Sequence, residues 1–505
     1  MKTLLQRLDL GSSVAEHDAA LDRYFVETQT FLRLVEDKGD IVAGDKGTGK
    51  TALYRILKER YTQYDALRDV DVVAAFNPAG TPIFQRAFEA GELTEAEYTG
   101  VWKAYFFSLA GNWLLGLFDE PDYSESLIRL DRLLAASGLR VADDSAETTF
   151  SKVINTIKGW FKVKRMEGGV GLTETGLPLL TWALDFNDEA IDRDEEDYPR
   201  LRHDDALKAL EIALSEQEIT VWLVMDRLDE AFQARPEFEK PALRALFRSY
   251  LDLLPLHRVR VKIFVRRDLF RRIIEGGFVN LTHINARRID IEWTQEDLYS
   301  LLYQRIRDSD GLSSILDEDT PDSSFGVVFP SQVDYGSRKP TTWTWMVGRI
   351  GDGNDVKPPR NLIDLVLKAQ EHQLKAEDRS PRTWDKGSPL ITGDSLKRGL
   401  ETLSSQRVED TLLAEAGDRA SLIERFRGGK AHHNLESLRS LLGDSAEEDA
   451  RLLSELGFLE RVGSTYKVPI LYRAGLGITQ GKAFASPGSM ADIESETGDE
   501  DDEVS

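Results

Sequence analysis

Gly39-Asp40-Ile41-Val42-Ala43-Gly44-Asp45-Lys46-Gly47-Thr48-Gly49-Lys50-Thr51-Ala52-Leu53 is the stretch on which the fold of this 505-residue chain turns. Ile41-Val42-Ala43 is a short apolar run that reads as a buried strand. Gly44–Thr51 matches the pattern G-x-x-x-x-G-K-[ST]. Its glycines let backbone N–H groups turn inward around a polyphosphate. From Thr51 to Tyr61, Ala52, Leu53, Ile56 and Leu57 recur on one side of a helix. The N-terminus of that helix would aim at the anion. Lys50 would set a positive charge on the β- and γ-phosphates, and the Thr51 hydroxyl would bind Mg²⁺. Gly44, Asp45, Lys46, Gly47, Thr48, Gly49, Lys50 and Thr51 are therefore the expected nucleotide-binding residues.

Working outward, further apolar runs lie at 71–76, 219–225 and 259–265, with helical patterns between them. Strand–helix alternation of this kind predicts an α/β domain with a mainly parallel sheet. Val221–Met225 runs into Asp226-Arg227-Leu228-Asp229-Glu230. An acid at such a strand end would hold Mg²⁺, which marks Asp226, and Asp229 or Glu230 would polarise an attacking water. The 259–265 run ends at Arg266-Arg267-Asp268. Strand ends of open α/β sheets face the ligand crevice, so an arginine there, Arg266, would sense or stabilise a γ-phosphate, with a plain surface arginine cluster as the equal alternative. Pro358-Pro359-Arg360 opens a later helix and offers a second arginine, Arg360.

Residues 15–38 read as one amphipathic helix. Between about 85 and 200 the pattern changes to helices rich in Trp, Phe and Leu, then to a glycine-punctuated stretch with a hairpin around 161–180. The expected organisation is a phosphate-loop domain at 1–293 carrying that insertion, and a helical lid at 294–375. A linker at 376–390 and a winged-helix-like unit at 391–485 follow, then a disordered acidic tail at 486–505. Trp343 and Trp345 fall in a proline-rich loop, where packing is the expected role.

Composition bounds the rest. The net charge is −24, and 41% of residues are hydrophobic against 30% charged, the profile of a globular chain. Residues 491–505 carry eight carboxylates and no Lys or Arg. There are no cysteines, which excludes disulfides, thiolate metal sites and cysteine nucleophiles and fits a cytoplasmic setting. The longest nearly apolar run, 105–118, is shorter than the roughly 20 residues of a spanning helix. Acidity opposes phosphate binding by the chain at large, so DNA is not the favoured partner. The helix that would enter a groove, Ala446–Leu456, carries Glu447, Glu448, Asp449 and Glu455 against Arg451. A protein contact suits it better. For any nucleic-acid contact, the basic run 258–272 is the better candidate, with Arg258, Arg260 and Lys262 at its start.

Together, Gly44–Thr51, Asp226–Glu230, Phe264-Val265-Arg266-Arg267-Asp268 and Pro359-Arg360-Asn361-Leu362-Ile363 resemble the bacterial phosphate-loop ATPases of the STAND and KAP branches, within the broader AAA-like class. The resemblance implies ATP and Mg²⁺ as ligands and a switch or assembly ATPase as the function. It implies Lys50 and Thr51 on phosphate and metal, Asp226 on the metal, and Asp229 or Glu230 as the catalytic acid. Arg266 would be the first sensor and Arg360 the second. Such relatives work through protein partners or self-association, often in bacterial conflict or anti-phage systems. A DNA-translocating ATPase and a non-hydrolysing nucleotide-gated scaffold are the two alternative expectations.

Overall fold

The computed structural model describes residues 1–76, 94–141, 203–228, 236–275, 277–309, 321–385 and 387–479, with positions 149, 153, 156, 312 and 315. The hairpin expected at 161–180, Asp229, Glu230 and the acidic tail lie outside the described residues. The chain forms two compact units. One comprises Gln29–Asp45 and Lys50–Ile291; the other comprises Met1–Thr28, Lys46–Gly49 and the chain from Glu292 onward.

The first unit is built on a parallel five-stranded sheet of β1 (Ile41–Gly44), β2 (Val70–Phe76), β3 (Thr220–Met225), β4 (Val259–Arg266) and β5 (Arg288–Asp290). Their spatial order is β2-β3-β4-β1-β5. β1 is buried at every position, and β3 at all but its first, as central strands covered on both faces must be. β2, at one edge, is only half-buried over Val70–Ala74. The chain leaves β1 for that edge, returns through β3 and β4, then passes β1 to reach β5. Connections thus diverge on the two sides of β1. Ligands in open parallel sheets lodge at the carboxyl ends of strands beside such a point.

Helices cover the sheet. Glu95–Leu115 opens on a reciprocal cap, Thr94 with Glu97, and buries Tyr98, Trp102, Tyr105, Phe106 and Leu114 around its circumference. Its Trp102 indole donates to the Ala242 carbonyl at 2.9 Å, tying it to the helix Pro236–Leu253. This is the Trp- and Phe-rich helix expected in the insertion.

The second unit is mostly helical and ends in a small antiparallel sheet. The helix Pro359–Arg379 lies against Gly393–Arg407 so closely that a Cβ on Gly399 would come within 2.7 Å of the Ala369 amide nitrogen. β6 (His432–Asn434) is followed by helices Leu435–Leu442 and Ala446–Glu455, then by β7 (Glu460–Val462) and β8 (Thr465–Lys467). The strand order is β6-β8-β7. Strand, two helices and a two-stranded wing make the winged-helix-like end expected from the sequence. The acids of its second helix, Glu447, Glu448 and Asp449, occupy the first turn, where the helix dipole favours them.

Two expectations need correction. Residues 15–38 do not form one helix: a short turn at Ala15–His17 is followed by irregular chain, and the helix spans only Gln29–Val35. The cause is Asp18, which is buried and accepts from the Tyr24 hydroxyl and, at 2.8 Å, from Arg305. A local side-chain partner of this kind competes with helix formation. Trp343 and Trp345 sit not in a loop but in the helix Thr342–Val347, with Trp345 buried and Trp343 edge-on to Tyr299 at 5.0 Å. Among the described residues no helix is long and apolar enough to cross a membrane.

Candidate functional site

β1, β4 and β3 end at Gly44, Arg266 and Met225, which brings Gly44, Arg266 and Asp226 to one edge of the sheet. Gly44 pairs with Arg266, and Met225 with Ile263. β4 therefore stands between the glycine-loop strand and the acid-ended strand, about two strand spacings or roughly 10 Å from β1 to β3. Asp226 is buried. Arg227, directly after it, has φ 56°, a left-handed conformation uncommon outside glycine that turns the chain sharply away from the strand. Asp229 and Glu230 lie beyond the described residues.

The loop after β1 turns through left-handed glycines, Gly47 at φ 80° and Gly49 at φ 99°. Lys50 starts the helix Lys50–Arg60 and folds back, its ammonium donating to the carbonyls of Gly44 and Asp45 at 2.9 Å each. Thr51 is half-buried in the first turn. The two arginines at the end of β4 diverge. Arg266 makes a bidentate pair with Asp268, both bonds 3.0 Å. Burial pushes the Asp268 carboxyl up, but the charge and hydrogen bonds of Arg266 prevail and hold it below the ordinary value. Arg267 instead reaches the loop: it bonds Asp45 at 2.8 Å and Asp290 at 3.1 Å. Sequence reading singled out Arg266 and passed over Arg267. Strand geometry ends at Arg266 and a helix begins at Arg267, so the two side chains leave in different directions.

In the second unit, Lys46–Gly49 has its own partners. Lys46 pairs with Glu415 at 2.8 Å. The Trp293 indole donates to the Thr48 carbonyl at 2.8 Å. A Cβ added to Gly47 would lie 3.1 Å from the Cβ of Arg360. Arg360 is thus a neighbour of the loop, while Glu415 and Trp293 are contacts no local pattern announces. Gly47→Ala should cost roughly 1–2 kcal/mol, because φ 80° strains any L residue and the new methyl crowds Arg360. Urea titration checks this; an unchanged midpoint contradicts it.

These residues fit a magnesium-bound polyphosphate. The helix N-terminus and Lys50 would supply positive charge, and Thr51 and Asp226 would supply oxygen ligands. Among the described residues no cluster of three or more metal-ligating side chains occurs. A site with few protein oxygens suits Mg²⁺, which keeps waters and takes phosphate oxygens.

The basic run 258–272 is not one patch. Lys262 is fully buried, and Arg260 bonds the Leu256 carbonyl and pairs with Asp37 at 3.6 Å. Arg258 lies against the Glu218 carbonyl. Strand alternation and ion pairing divide these charges, which corrects their expected role as the better candidate for nucleic-acid contact.

No model of a known protein family matches the chain, and no curated protein does. Among solved structures it is similar to the ORC1 protein of Aeropyrum pernix in complex with DNA, at 15% identity over 89% of this chain and 91% of that one, with a TM-score of 0.33. It is also similar to the Aeropyrum pernix ORC2 protein in its ADPNP–ADP complexes, at 14% identity over 91% of each chain, with a TM-score of 0.34. Likeness at that level is loose.

Proposed function

We propose that the chain is an ATP-binding and ATP-hydrolysing phosphate-loop switch or assembly ATPase. The observation that supports it most is the β1–loop–helix unit: Gly47 and Gly49 left-handed, Lys50 folded over the loop, and Asp226 buried at the same sheet edge. Lys50 would exchange the Gly44 and Asp45 carbonyls for phosphate oxygens. Arg267 holds Asp45, which steadies the start of the loop. Thr51 and Asp226 would hold Mg²⁺. When bound, the metal would neutralise charge developing on the transferred phosphoryl group. Asp229 or Glu230 would orient the water. Arg266, at the end of β4, and Arg360, beside Gly47, would stabilise charge. ATP order of the loop and its loss on hydrolysis would drive the switch, acting on a protein partner or a second copy of the chain.

Phosphate release from ATP, followed with and without Mg²⁺ and with and without duplex DNA, tests the reading. Magnesium-dependent turnover that DNA leaves unchanged is expected. Turnover that appears only with DNA turns the assignment to a DNA-dependent motor. ATP binding without turnover, with any candidate partner present, turns it to a nucleotide-gated scaffold.

A further inference from the structure

Arg360 and Asp364 stand four residues apart on the helix Pro359–Arg379, the spacing at which an arginine and a carboxylate pair on one face. Asp364 is instead held by Arg407, from the last turn of the helix Gly393–Arg407. Both side chains are largely shielded, 17% and 14% exposed, so solvent does little to weaken the pair. Arg360 keeps its stem against the phosphate loop, with its Cβ and Cδ 3.1 and 3.4 Å from where a Cβ on Gly47 would be. Its Nε is buried and has no hydrogen-bond partner among the described residues. Burial lowers the proton affinity of Arg407 and the Asp364 charge raises it; Arg360 lowers it further, as two neighbouring cations must. Two guanidiniums thus lie close enough to repel, and the Asp364 carboxylate pairs with Arg407. Directly after Arg407 the chain makes a π-helical turn, Val408–Leu413, a rare element.

We propose that Arg407 is a positioning residue of the nucleotide site: by occupying Asp364 it denies that carboxylate to Arg360 and keeps the Arg360 guanidinium available for the terminal phosphate of ATP. This rests on reading Gly44–Thr51 as the nucleotide loop. Arg407 itself touches no ligand. Its loss frees Asp364 to take Arg360 along the helix face, and the charge meant for phosphate is then quenched.

The test is equilibrium binding of ATP and of ADP to the full chain. In Arg407→Met, ATP affinity should fall roughly tenfold or more, the worth of one charge-assisted hydrogen bond, while ADP affinity stays near wild type. Adding Asp364→Asn to that variant should restore the ATP preference, because the competing carboxylate is gone. Equal losses for ATP and ADP, or no rescue, overturn the proposal and leave Arg407 a packing residue. Should Arg407→Met fail to fold, Asp364→Asn alone decides: its ATP preference stays at or above wild type, and loss of that preference overturns the proposal. Wild-type chain that binds neither nucleotide contradicts the underlying site reading instead, so the two failures are told apart.

Discussion

Replacing Lys262 by alanine is expected to cost about 3–5 kcal/mol of stability, the scale of removing one partner from a buried ion pair. Lys262 is fully buried in the middle of β4. Its ammonium donates to Asp37 at 2.5 Å, to Asp40 at 2.8 Å and to the Gly39 carbonyl at 2.9 Å. It also lies 3.9 Å from the centre of the Trp222 ring. Arg287 completes the cluster, donating to both oxygens of Asp40 and to Asp37, and the Tyr250 hydroxyl donates to Asp40 at 2.9 Å. Alanine would leave Asp40, itself only 1% exposed, with one cation fewer to offset its burial. Urea unfolding should show a lower midpoint with an unchanged slope; an unchanged midpoint contradicts the prediction.

The same cluster sets an acid limit. Burial pushes the Asp40 carboxyl up, but the hydrogen bond from Arg287 and the charge of Lys262 outweigh it and hold the group below the ordinary carboxylate value. A depressed carboxyl contributes stability that is fully present above its unfolded value and is lost as pH falls through the folded one. Acid unfolding of the wild type should therefore gain from Asp40 only below about pH 4. In Lys262→Ala the folded value rises, and the acid midpoint should move to higher pH. Coincident acid midpoints for the two proteins contradict this.

Asp226→Asn should reduce ATP turnover by about 100-fold or more, the range seen when a group serving transition-state charge is removed. The amide matches the carboxylate in shape, so the buried end of β3 and the left-handed turn at Arg227 should survive. What is lost is the negative charge that would hold Mg²⁺. ATP affinity should change much less than turnover, because Lys50 and the loop backbone would carry binding. Phosphate release measured alongside a binding isotherm separates the two, and wild-type turnover in the variant removes Asp226 from the mechanism.

The strands and the glycine loop were legible because each is a local signal: Ile41–Ala43, Val221–Met225 and Val259–Val265 are apolar runs that end at a special residue. The winged-helix-like end was legible too, as helices followed by two short strands, which β7 and β8 supply. What local pattern missed depends on distant partners. Asp18 breaks the expected 15–38 helix because Arg305 is folded against it. Lys262 reads as part of a basic run, yet Asp37, Asp40 and Trp222 make it a core residue. Arg267 was eclipsed by Arg266 because only the fold shows which of two adjacent side chains faces Asp45. Lys46 with Glu415, and Asp364 with Arg407, join segments whose pairing no spacing rule anticipates.

A nucleotide held by Gly44–Thr51 would depend on Lys50 above all. Titrating Mg²⁺·ATP into the wild-type chain and into Lys50→Ala by calorimetry tests it most directly. Saturable binding is expected for the wild type. The variant, with an unchanged circular dichroism spectrum, should bind roughly 10- to 100-fold more weakly, the worth of one to two charge-assisted contacts to phosphate. Equal isotherms for the two proteins, or no heat from the wild type, would contradict the account.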